Sequence, residues 1–200
     1  MSSNNTPEIE SKILEVTPEE LSEKLQLIGA RQIFDGELRA QWLRNGDEWD
    51  DPEGKKKLRV RQEWDIVVVE NKLAIKGTND GIKSARETGF RAESFQDVVD
   101  TLLMVGFTRI WLPSVKRRVT YLIGDEETGV KLDFDTYIEL MGKYGTLDNP
   151  VIPTLMEIES KRSKQEVFDT AGLLGFDPID LNDCGPRELF KYYHPGAPII

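Results

Sequence analysis

Seven segments of this 200-residue sequence alternate charged and apolar side chains with a period of two. Successive side chains of a β-strand point to opposite faces, so the alternation predicts strands with one charged face and one apolar face. The predicted strands span residues 8–13, 31–43, 57–64, 67–76, 115–123, 130–135 and 155–160. Two folds fit this pattern. Either an antiparallel sheet exposes its charged face to solvent, or the sheet closes into a barrel and the charged face becomes its lumen.

The charges on these faces are concentrated rather than mixed with neutral polar residues. Seven are basic: Lys12, Arg59, Arg61, Lys72, Lys76, Lys116 and Arg118. Six are acidic: Glu8, Glu10, Asp133, Asp135, Glu157 and Glu159. Strands that carry charges of one sign suffer repulsion unless a ligand of opposite sign lies between them. Paired bases suit phosphate oxygens and paired carboxylates suit Mg²⁺, so the pattern indicates a site for a polyanion and a metal ion.

Three amphipathic helices are predicted among the strands. Their N-terminal signals begin at Thr17, Ser94 and Ser163, each with an acidic residue three positions later, and glycines end the helices. A shorter helix is predicted at 186–193. Strands and helices together predict an α+β protein. Because no break in composition divides the chain, we expect one domain over 1–200, with its core at about 6–176 and a helical tail at 177–200.

Composition argues against several classes of function. The chain has 26 Lys and Arg against 36 Asp and Glu, a net charge of −10, which disfavours nucleic acid as a partner. The longest aliphatic run, 66–69, is too short to cross a bilayer, and the first residues do not read as a signal peptide. We therefore expect a cytoplasmic protein without a membrane partner. A single cysteine, Cys184, and a single histidine, His194, exclude an internal disulfide and a His/Cys zinc site.

The signature Glu-x-Glu-x-Lys at Glu8, Glu10 and Lys12 resembles the hallmark of the CYTH superfamily, the triphosphate tunnel metalloenzymes. Later blocks resemble the superfamily in the same order, and the likeness extends from residue 8 to about 176. These blocks lie at 58–61, 73–77, 116–118, 130–135 and 156–159. The resemblance implies a closed eight-stranded antiparallel β-barrel, a tunnel with a charged interior and helices packed outside. One departure is that Arg86 and Glu87 do not reproduce the spacing of the superfamily's Arg-x-Glu strand.

The resemblance also implies roles for the charged residues. The metal ligands for Mg²⁺ or Mn²⁺ would be Glu8, Glu10, Asp135, Glu157 and Glu159, with Asp133 an open alternative to Asp135. The residues that bind the triphosphate would be Lys12, Arg59, Arg61, Lys76, Lys116 and Arg118. The catalytic residues would be Lys12, Glu10 and Glu159.

The implied function is metal-dependent hydrolysis of a triphosphate. The substrate would be inorganic triphosphate or a small organic one, such as thiamine triphosphate or a nucleotide. One alternative is a class IV adenylyl cyclase, in which the ribose 3′-hydroxyl replaces water as the nucleophile. Another is a protein that binds polyphosphate or nucleotides without catalysis, which is disfavoured because anion binding alone has no use for four glutamates. The partner is then a small-molecule triphosphate, and a homodimer is left open.

Overall fold

The computed structural model describes residues 7–45, 57–75, 81–111 and 113–198. The strands of these residues are β1 (Glu8–Ile13), β2 (Arg31–Asn45), β3 (Lys57–Glu63), β4 (Ile66–Ile75), β5 (Lys83–Ala92), β6 (Phe107–Arg109), β7 (Ser114–Ile123), β8 (Val130–Leu140), β9 (Lys143–Tyr144) and β10 (Leu155–Ser160). The α-helices are α1 (Ser22–Leu27), α2 (Phe95–Met104), α3 (Lys164–Leu173) and α4 (Pro186–Tyr193). A short 3₁₀ helix lies between α3 and α4, at Pro178–Asp180.

Eight of these strands close into an antiparallel barrel. Their order around the barrel is β10, β1, β5, β4, β3, β2, β7 and β8, and pairing of β8 with β10 completes the ring. The short strands β6 and β9 extend the sheet from β2 and β8. The predicted α+β fold with a closed eight-stranded barrel is therefore confirmed. Among the helices described, none combines the length and the apolar character that crossing a membrane requires.

The hydrophobic core lies outside the barrel, between its outer face and the helices. Phe134 and Ile158 of the wall belong to a cluster with apolar residues of α1 and α3. A second cluster joins β2, β3 and β4 to α2 around Val60 and Phe95, and a third includes Phe190 of α4. Because burial of these outer faces stabilises the barrel, the alternate charged side chains are left to face the lumen.

Two helix starts agree with the sequence signals. The Ser94 hydroxyl accepts a hydrogen bond of 3.2 Å from the backbone N–H of Asp97, at the start of α2. The Ser163 hydroxyl accepts one of 3.2 Å from the N–H of Glu166, at the start of α3. Each bond satisfies a donor that the first turn of a helix leaves without a partner.

The predicted start of the first helix at Thr17 is wrong. The Glu20 carboxylate accepts a hydrogen bond of 2.7 Å from the Thr17 N–H, but residues 18–21 form a turn and α1 begins at Ser22. The Ser22 N–H donates to the Glu19 carbonyl at 3.3 Å, three residues back, so this turn is wound more tightly than an α-helix. The hydrogen bond between Thr17 and Glu20 therefore stabilises the turn before α1 and does not cap the helix itself.

Strand β5 is one that the alternation does not predict. Its sequence, Lys83–Ala92, has polar residues at most positions. It is a strand because it pairs with β4 over nine residues and with β1 over three. Gly89 allows β4 to approach closely, since a Cβ at this position would lie 2.5 Å from the Val69 carbonyl oxygen.

The C-terminal tail completes the barrel wall beside β1. The pairing of β1 with β5 places residues 8–10 opposite residues 83–85, and it ends where β5 begins. Beyond that point Lys12 and Asn182 exchange two backbone hydrogen bonds, each of 2.8 Å. The tail therefore supplies the backbone partners that β5 is too short to give.

Candidate active site

The barrel lumen contains a cavity of about 1050 Å³. Among the described residues that line this cavity, Lys and Arg outnumber Asp and Glu by eleven to nine, although the whole chain has a net charge of −10. The lumen therefore does not share the acidic excess of the whole chain, and its bases can attract a polyanion.

Arg59 and Arg61 of β3 form the first basic pair of the lumen. The Arg59 guanidinium donates a hydrogen bond to Glu70 of β4 and another of 3.3 Å to Glu87 of β5. Arg61 lies 3.2 Å from a carboxylate oxygen of Glu63 and 3.5 Å from one of Glu70. Burial alone would lower the pKa of Arg59, but Glu70 and Glu87 outweigh burial and raise it. Arg59 therefore stays charged inside the barrel.

An aromatic pair borders this basic pair. The Arg59 guanidinium carbon lies 5.4 Å from the centre of the Trp42 ring, and the ring centres of Trp42 and Trp111 are 6.1 Å apart. Both indoles line the cavity. A guanidinium over an aromatic face is held in a fixed orientation, so Trp42 helps to direct Arg59.

Lys116 and Arg118 of β7 form the second basic pair. Arg118 donates two hydrogen bonds to Asp135, of 2.7 and 2.8 Å, and one of 2.5 Å to Asp133. Lys116 also donates to Asp135. Burial would raise the pKa of Asp135, but Arg118 and Lys116 lower it. Burial and then Arg118 lower the pKa of Lys116 to about 8, which brings its titration close to neutral pH.

Arg117, between these two bases, has the opposite orientation. Its guanidinium donates two hydrogen bonds of 2.8 Å to Asp35 on the outer face of the barrel. The side chain of Arg117 is 46% exposed, whereas that of Arg118 is 12% exposed. The predicted alternation of β7, with Arg118 inside and Arg117 outside, is confirmed.

Acidic side chains of β1 and β10 meet across one ladder of the barrel. Glu10 lies directly opposite Glu159, and Lys12 lies directly opposite Glu157. The Lys12 ammonium is 2.8 Å from a Glu157 oxygen. Burial would raise the pKa of Glu157, but Lys12 and Arg118 lower it well below its usual range. One pair is thus neutralised, while the other places two carboxylates side by side.

The resulting excess of negative charge fits a divalent cation. Burial, and then Glu159, raise the pKa of Glu8 to about 8, and burial raises the pKa of Glu159 as well. A bound proton and a bound cation relieve the same repulsion, because each supplies positive charge among the carboxylates. Glu8, Glu10 and Glu159 offer the oxygen donors that Mg²⁺ and Mn²⁺ prefer, so these residues fit the ion that the resemblance implies.

These carboxylates are not yet arranged as a metal site. In the described parts of the chain, no group of three His, Cys, Asp or Glu side chains is arranged to hold an ion. The Lys72 ammonium of β4 instead lies 2.7 Å from Glu10 and 3.2 Å from Glu8. Of the two aspartates, Asp133 lies opposite Glu157, whereas Asp135 lies opposite Leu155 and is two residue pairs further from Glu159.

Most of the candidate residues named from the sequence line the cavity together. They are Glu8, Glu10, Lys12, Arg59, Arg61, Lys116, Arg118, Asp133, Glu157 and Glu159. Asp135 lies beside them, buried against the bases of β7. Lys76 lies outside the described residues. Arg86 is exposed, and the β5 carboxylate that reaches the lumen is Glu87.

Four polar residues of the site were given no role from the sequence: Glu70, Lys72, Glu87 and Thr120. Glu70 and Lys72 follow the same alternation of β4 as Lys76, so this alternation was a usable signal for both. Thr120 continues the face of Lys116 and Arg118, and its hydroxyl donates a hydrogen bond of 2.5 Å to Asp133. Glu87 lies on β5, which carries no alternation.

No family model matches this sequence, and no curated protein matches it. Solved structures match its fold. A protein of Pyrococcus horikoshii OT3, PH1012, has a TM-score of 0.68 and 21% identity, over 91% of this chain and 98% of that one. A candidate adenylate cyclase of Vibrio parahaemolyticus has a TM-score of 0.65 and 15% identity, over 94% and 99%. A candidate adenylyl cyclase of Hippeastrum, described as having a dominant triphosphatase activity, has a TM-score of 0.52 and 15% identity, over 93% and 96%.

At these identities the likeness concerns the fold. It extends over nearly the whole of this chain and of each matched chain, so the barrel and its helices are shared as a unit. The closed ring of eight antiparallel strands around a charged lumen agrees with this likeness. The chain therefore shares the fold of these solved structures, a closed eight-stranded antiparallel barrel with helices packed outside.

Proposed function

We propose that this protein hydrolyses a triphosphate inside the barrel with the help of Mg²⁺ or Mn²⁺. The observation that carries the proposal is that buried and half-buried bases of β1, β3 and β7 surround one cavity that also holds a cluster of carboxylates. A triphosphate distributes its negative charge along three phosphoryl groups, so it requires cations at several points. The similar fold of a protein described as having a dominant triphosphatase activity supports the same class of reaction.

The proposed catalysis is mainly electrostatic. Arg59 and Arg118 are held by carboxylates, so they remain charged and present their guanidinium groups in fixed orientations. These groups would bind the phosphoryl oxygens and neutralise the charge that moves to the leaving group. Lys116 has a pKa of about 8 and can hold or release a proton at Nζ near neutral pH. Lys12 is directed by Glu157 towards the same cavity.

Glu8, Glu10 and Glu159 would hold the metal ion, with Glu157 and either Asp133 or Asp135 as further ligands. When bound, the ion supplies positive charge to phosphate oxygens and polarises water. These glutamates and Lys12 face the same cavity. Glu10 of β1 lies opposite Glu159 of β10, and Lys12 lies two residues further along β1.

The proposal predicts a loss of turnover when a ligand is removed. Glu10→Gln and Glu159→Gln are each expected to lower turnover about 100-fold, because a lost ligand weakens the metal site. Steady-state rates with Mg²⁺ and with Mn²⁺ measure the effect. Glu126→Gln, whose side chain is 82% exposed, is the matched control. Near-normal metal-dependent activity in either tunnel variant contradicts the ligand assignment of that strand.

The deciding experiment identifies products by phosphorus NMR. The purified full chain is incubated with inorganic triphosphate or with ATP, in the presence of Mg²⁺ or Mn²⁺ and again with EDTA. We expect inorganic triphosphate to give pyrophosphate and phosphate, and we expect EDTA to stop the reaction. If the chain binds triphosphates but hydrolyses none of them with either metal ion, the hydrolase proposal fails in favour of a binding protein.

Adenylyl cyclase is the second candidate function. The fold matches a candidate adenylate cyclase over 94% of this chain, and Trp42 and Trp111 offer aromatic surfaces on which a base could stack. The same NMR experiment separates the two reactions. Cyclic AMP and pyrophosphate from ATP would support the cyclase and overturn the hydrolase.

A further inference from the structure

Lys72 reaches from β4 across β5 to the carboxylates of β1. Its Nζ lies 2.7 Å from Glu10 Oε2, 3.2 Å from Glu8 Oε2 and 3.3 Å from Glu87 Oε1. An ammonium has three N–H donors, and hydrogen bonds to Glu10 and Glu8 use two of them, while Glu87 lies within ion-pair distance. The Lys72 side chain is 18% exposed, so its charge lies within the barrel and not in the surrounding solvent.

Lys72 contacts the carboxylates that the proposed function assigns to the metal ion. A divalent cation on Glu8 and Glu10 would have to bind beside an ammonium that already contacts an oxygen of each. Two positive groups so close together in a partly buried site repel strongly. The ammonium and the metal ion are therefore alternative partners of the same two side chains.

We propose that Lys72 is an internal counter-cation of the metal site. Its ammonium contacts Glu8 and Glu10 in the metal-free protein and has to leave them before they accept a divalent ion. The inference rests on the proposed function, since it requires Mg²⁺ or Mn²⁺ to be the ligand of these glutamates. In this proposal, the affinity for the metal ion depends on competition between the ion and the Lys72 ammonium for Glu8 and Glu10.

Two partners are available to Lys72 after it leaves Glu8 and Glu10. One is Glu87, which it already approaches at 3.3 Å and which also accepts a hydrogen bond from Arg59. The other is a phosphate oxygen of a bound triphosphate. A triphosphate that draws the ammonium away would free the two glutamates, so binding of substrate and of metal would strengthen each other.

Removal of the Lys72 charge distinguishes a competitor from a lysine that only stabilises the site. If Lys72 merely kept Glu8 and Glu10 in place, its loss would weaken metal binding or leave it unchanged. If Lys72 competes with the metal ion, its loss strengthens metal binding. The two roles predict changes of opposite sign in one equilibrium measurement that does not depend on turnover.

The test is a titration of the full chain with Mn²⁺ alone, in which electron paramagnetic resonance measures the free ion. Lys72→Met keeps an unbranched side chain and removes its charge. We expect the Mn²⁺ dissociation constant to fall about tenfold or more, because two carboxylates lose a bound cation. The control is Lys143→Met, which removes the same charge from an exposed position on β9 and should leave the constant within about twofold.

An unchanged or weakened Mn²⁺ affinity in Lys72→Met overturns the inference, while a wild-type chain that binds Mn²⁺ still supports the proposed function. If neither chain binds Mn²⁺ at millimolar concentration, the metal-dependent function and the inference both fail. Lys72→Gln serves if the methionine variant does not fold. In the wild-type chain, Mn²⁺ should also increase acylation of Lys72 measured by mass spectrometry, and an unchanged rate counts against displacement.

Discussion

Arg117 and Arg118 show how one step along a strand decides what a side chain does. Both are arginines of β7, yet Arg117 pairs with Asp35 on the outer surface, whereas Arg118 is held by Asp133 and Asp135 in the lumen. An exposed ion pair is screened by water and contributes little to stability. A buried guanidinium between two aspartates keeps its charge and its orientation, which are the properties that phosphate binding uses.

Replacement of these two arginines should therefore have unequal effects. Arg118→Ala is expected to weaken binding of inorganic triphosphate by roughly 2–4 kcal/mol, because a desolvated charge-assisted contact is lost. Arg117→Ala should change binding by less than about 0.5 kcal/mol. Isothermal titration calorimetry in EDTA measures both. Since Arg118→Ala also leaves two aspartates with fewer partners, Arg118→Lys provides a milder second variant. Equal losses in the two alanine variants contradict the role of Arg118.

Glu8 should make the metal-free protein less stable as the pH rises. Its pKa is about 8 in the folded chain against an ordinary value of 4.5, so between these pH values the folded state binds more protons than the unfolded state. The free energy of unfolding therefore falls as pH increases through this window. Glu8→Gln removes this contribution, so its gain in stability relative to wild type should be small at pH 4.5 and should increase as the pH rises to 8.

Urea unfolding at several pH values in EDTA measures the Glu8 contribution. Glu126→Gln is again the control, because it makes the same replacement at an exposed side chain. A difference between Glu8→Gln and wild type that stays constant from pH 4.5 to 8 would refute the assigned pKa shift.

At the scale of elements, the sequence is informative wherever a strand separates two unlike environments. β1, β7 and β10 lie between a charged lumen and an apolar core, so their alternation is strong and their bounds are predicted to within one residue. The outward residues Arg86 and Phe90 of β5 are exposed. A strand whose outer face meets solvent has no apolar face to alternate with its inner one, which is why β5 was missed.

The contacts of the site were harder to predict than its members. Which charges face inward follows from alternation, because this depends on one strand at a time. The contact of Lys72 with Glu10 depends on β5 lying between β4 and β1, and that order is a property of the closed barrel. Local periodicity does not specify which distant strands pair, so the alternation of charged and apolar residues cannot predict this order.

Gly89 offers a test of how closely β4 and β5 must approach. A Cβ at Gly89 would lie 2.5 Å from the Val69 carbonyl oxygen and 3.0 Å from the Glu70 Cβ. Gly89→Val should therefore lower the free energy of unfolding by about 2–3 kcal/mol, since the strands have to separate. Urea unfolding measures this loss. Thr88→Val, at the exposed neighbouring position, should change stability by less than about 0.5 kcal/mol, and equal losses contradict the close approach.

At the scale of the whole molecule, the protein keeps its net negative charge outside a lumen rich in bases. Eleven bases among the described lining residues contrast with the net charge of −10, so the polyanion site is local. Ion pairs with carboxylates hold these bases in place, and under the proposed function a substrate would replace the carboxylates as their partners. Such a site draws most of its binding energy from the phosphate chain.

Inorganic triphosphate should therefore be turned over at least as efficiently as ATP. Under the proposed function the bases of the lumen bind phosphoryl groups, whereas discrimination for a purine requires hydrogen-bond partners placed along its edge. Trp42 and Trp111 can supply stacking, which tolerates many rings. The measurement is kcat/KM for both substrates under one metal concentration. A value for ATP more than about tenfold above that for inorganic triphosphate would contradict this ranking.

The pairing of Lys12 with Asn182 has a consequence for how the protein is made. A ribosome produces β1 before the other strands described here, but its partners in β10 and at Asn182 belong to residues 155–182. Until residues 155–182 are made, Glu10 and Lys12 thus lack the β10 side chains that lie opposite them in the barrel. Contacts of such long sequence separation form late and slowly. The ring can close only after residues 155–182 have been made, so a chain halted before β10 could not complete the barrel.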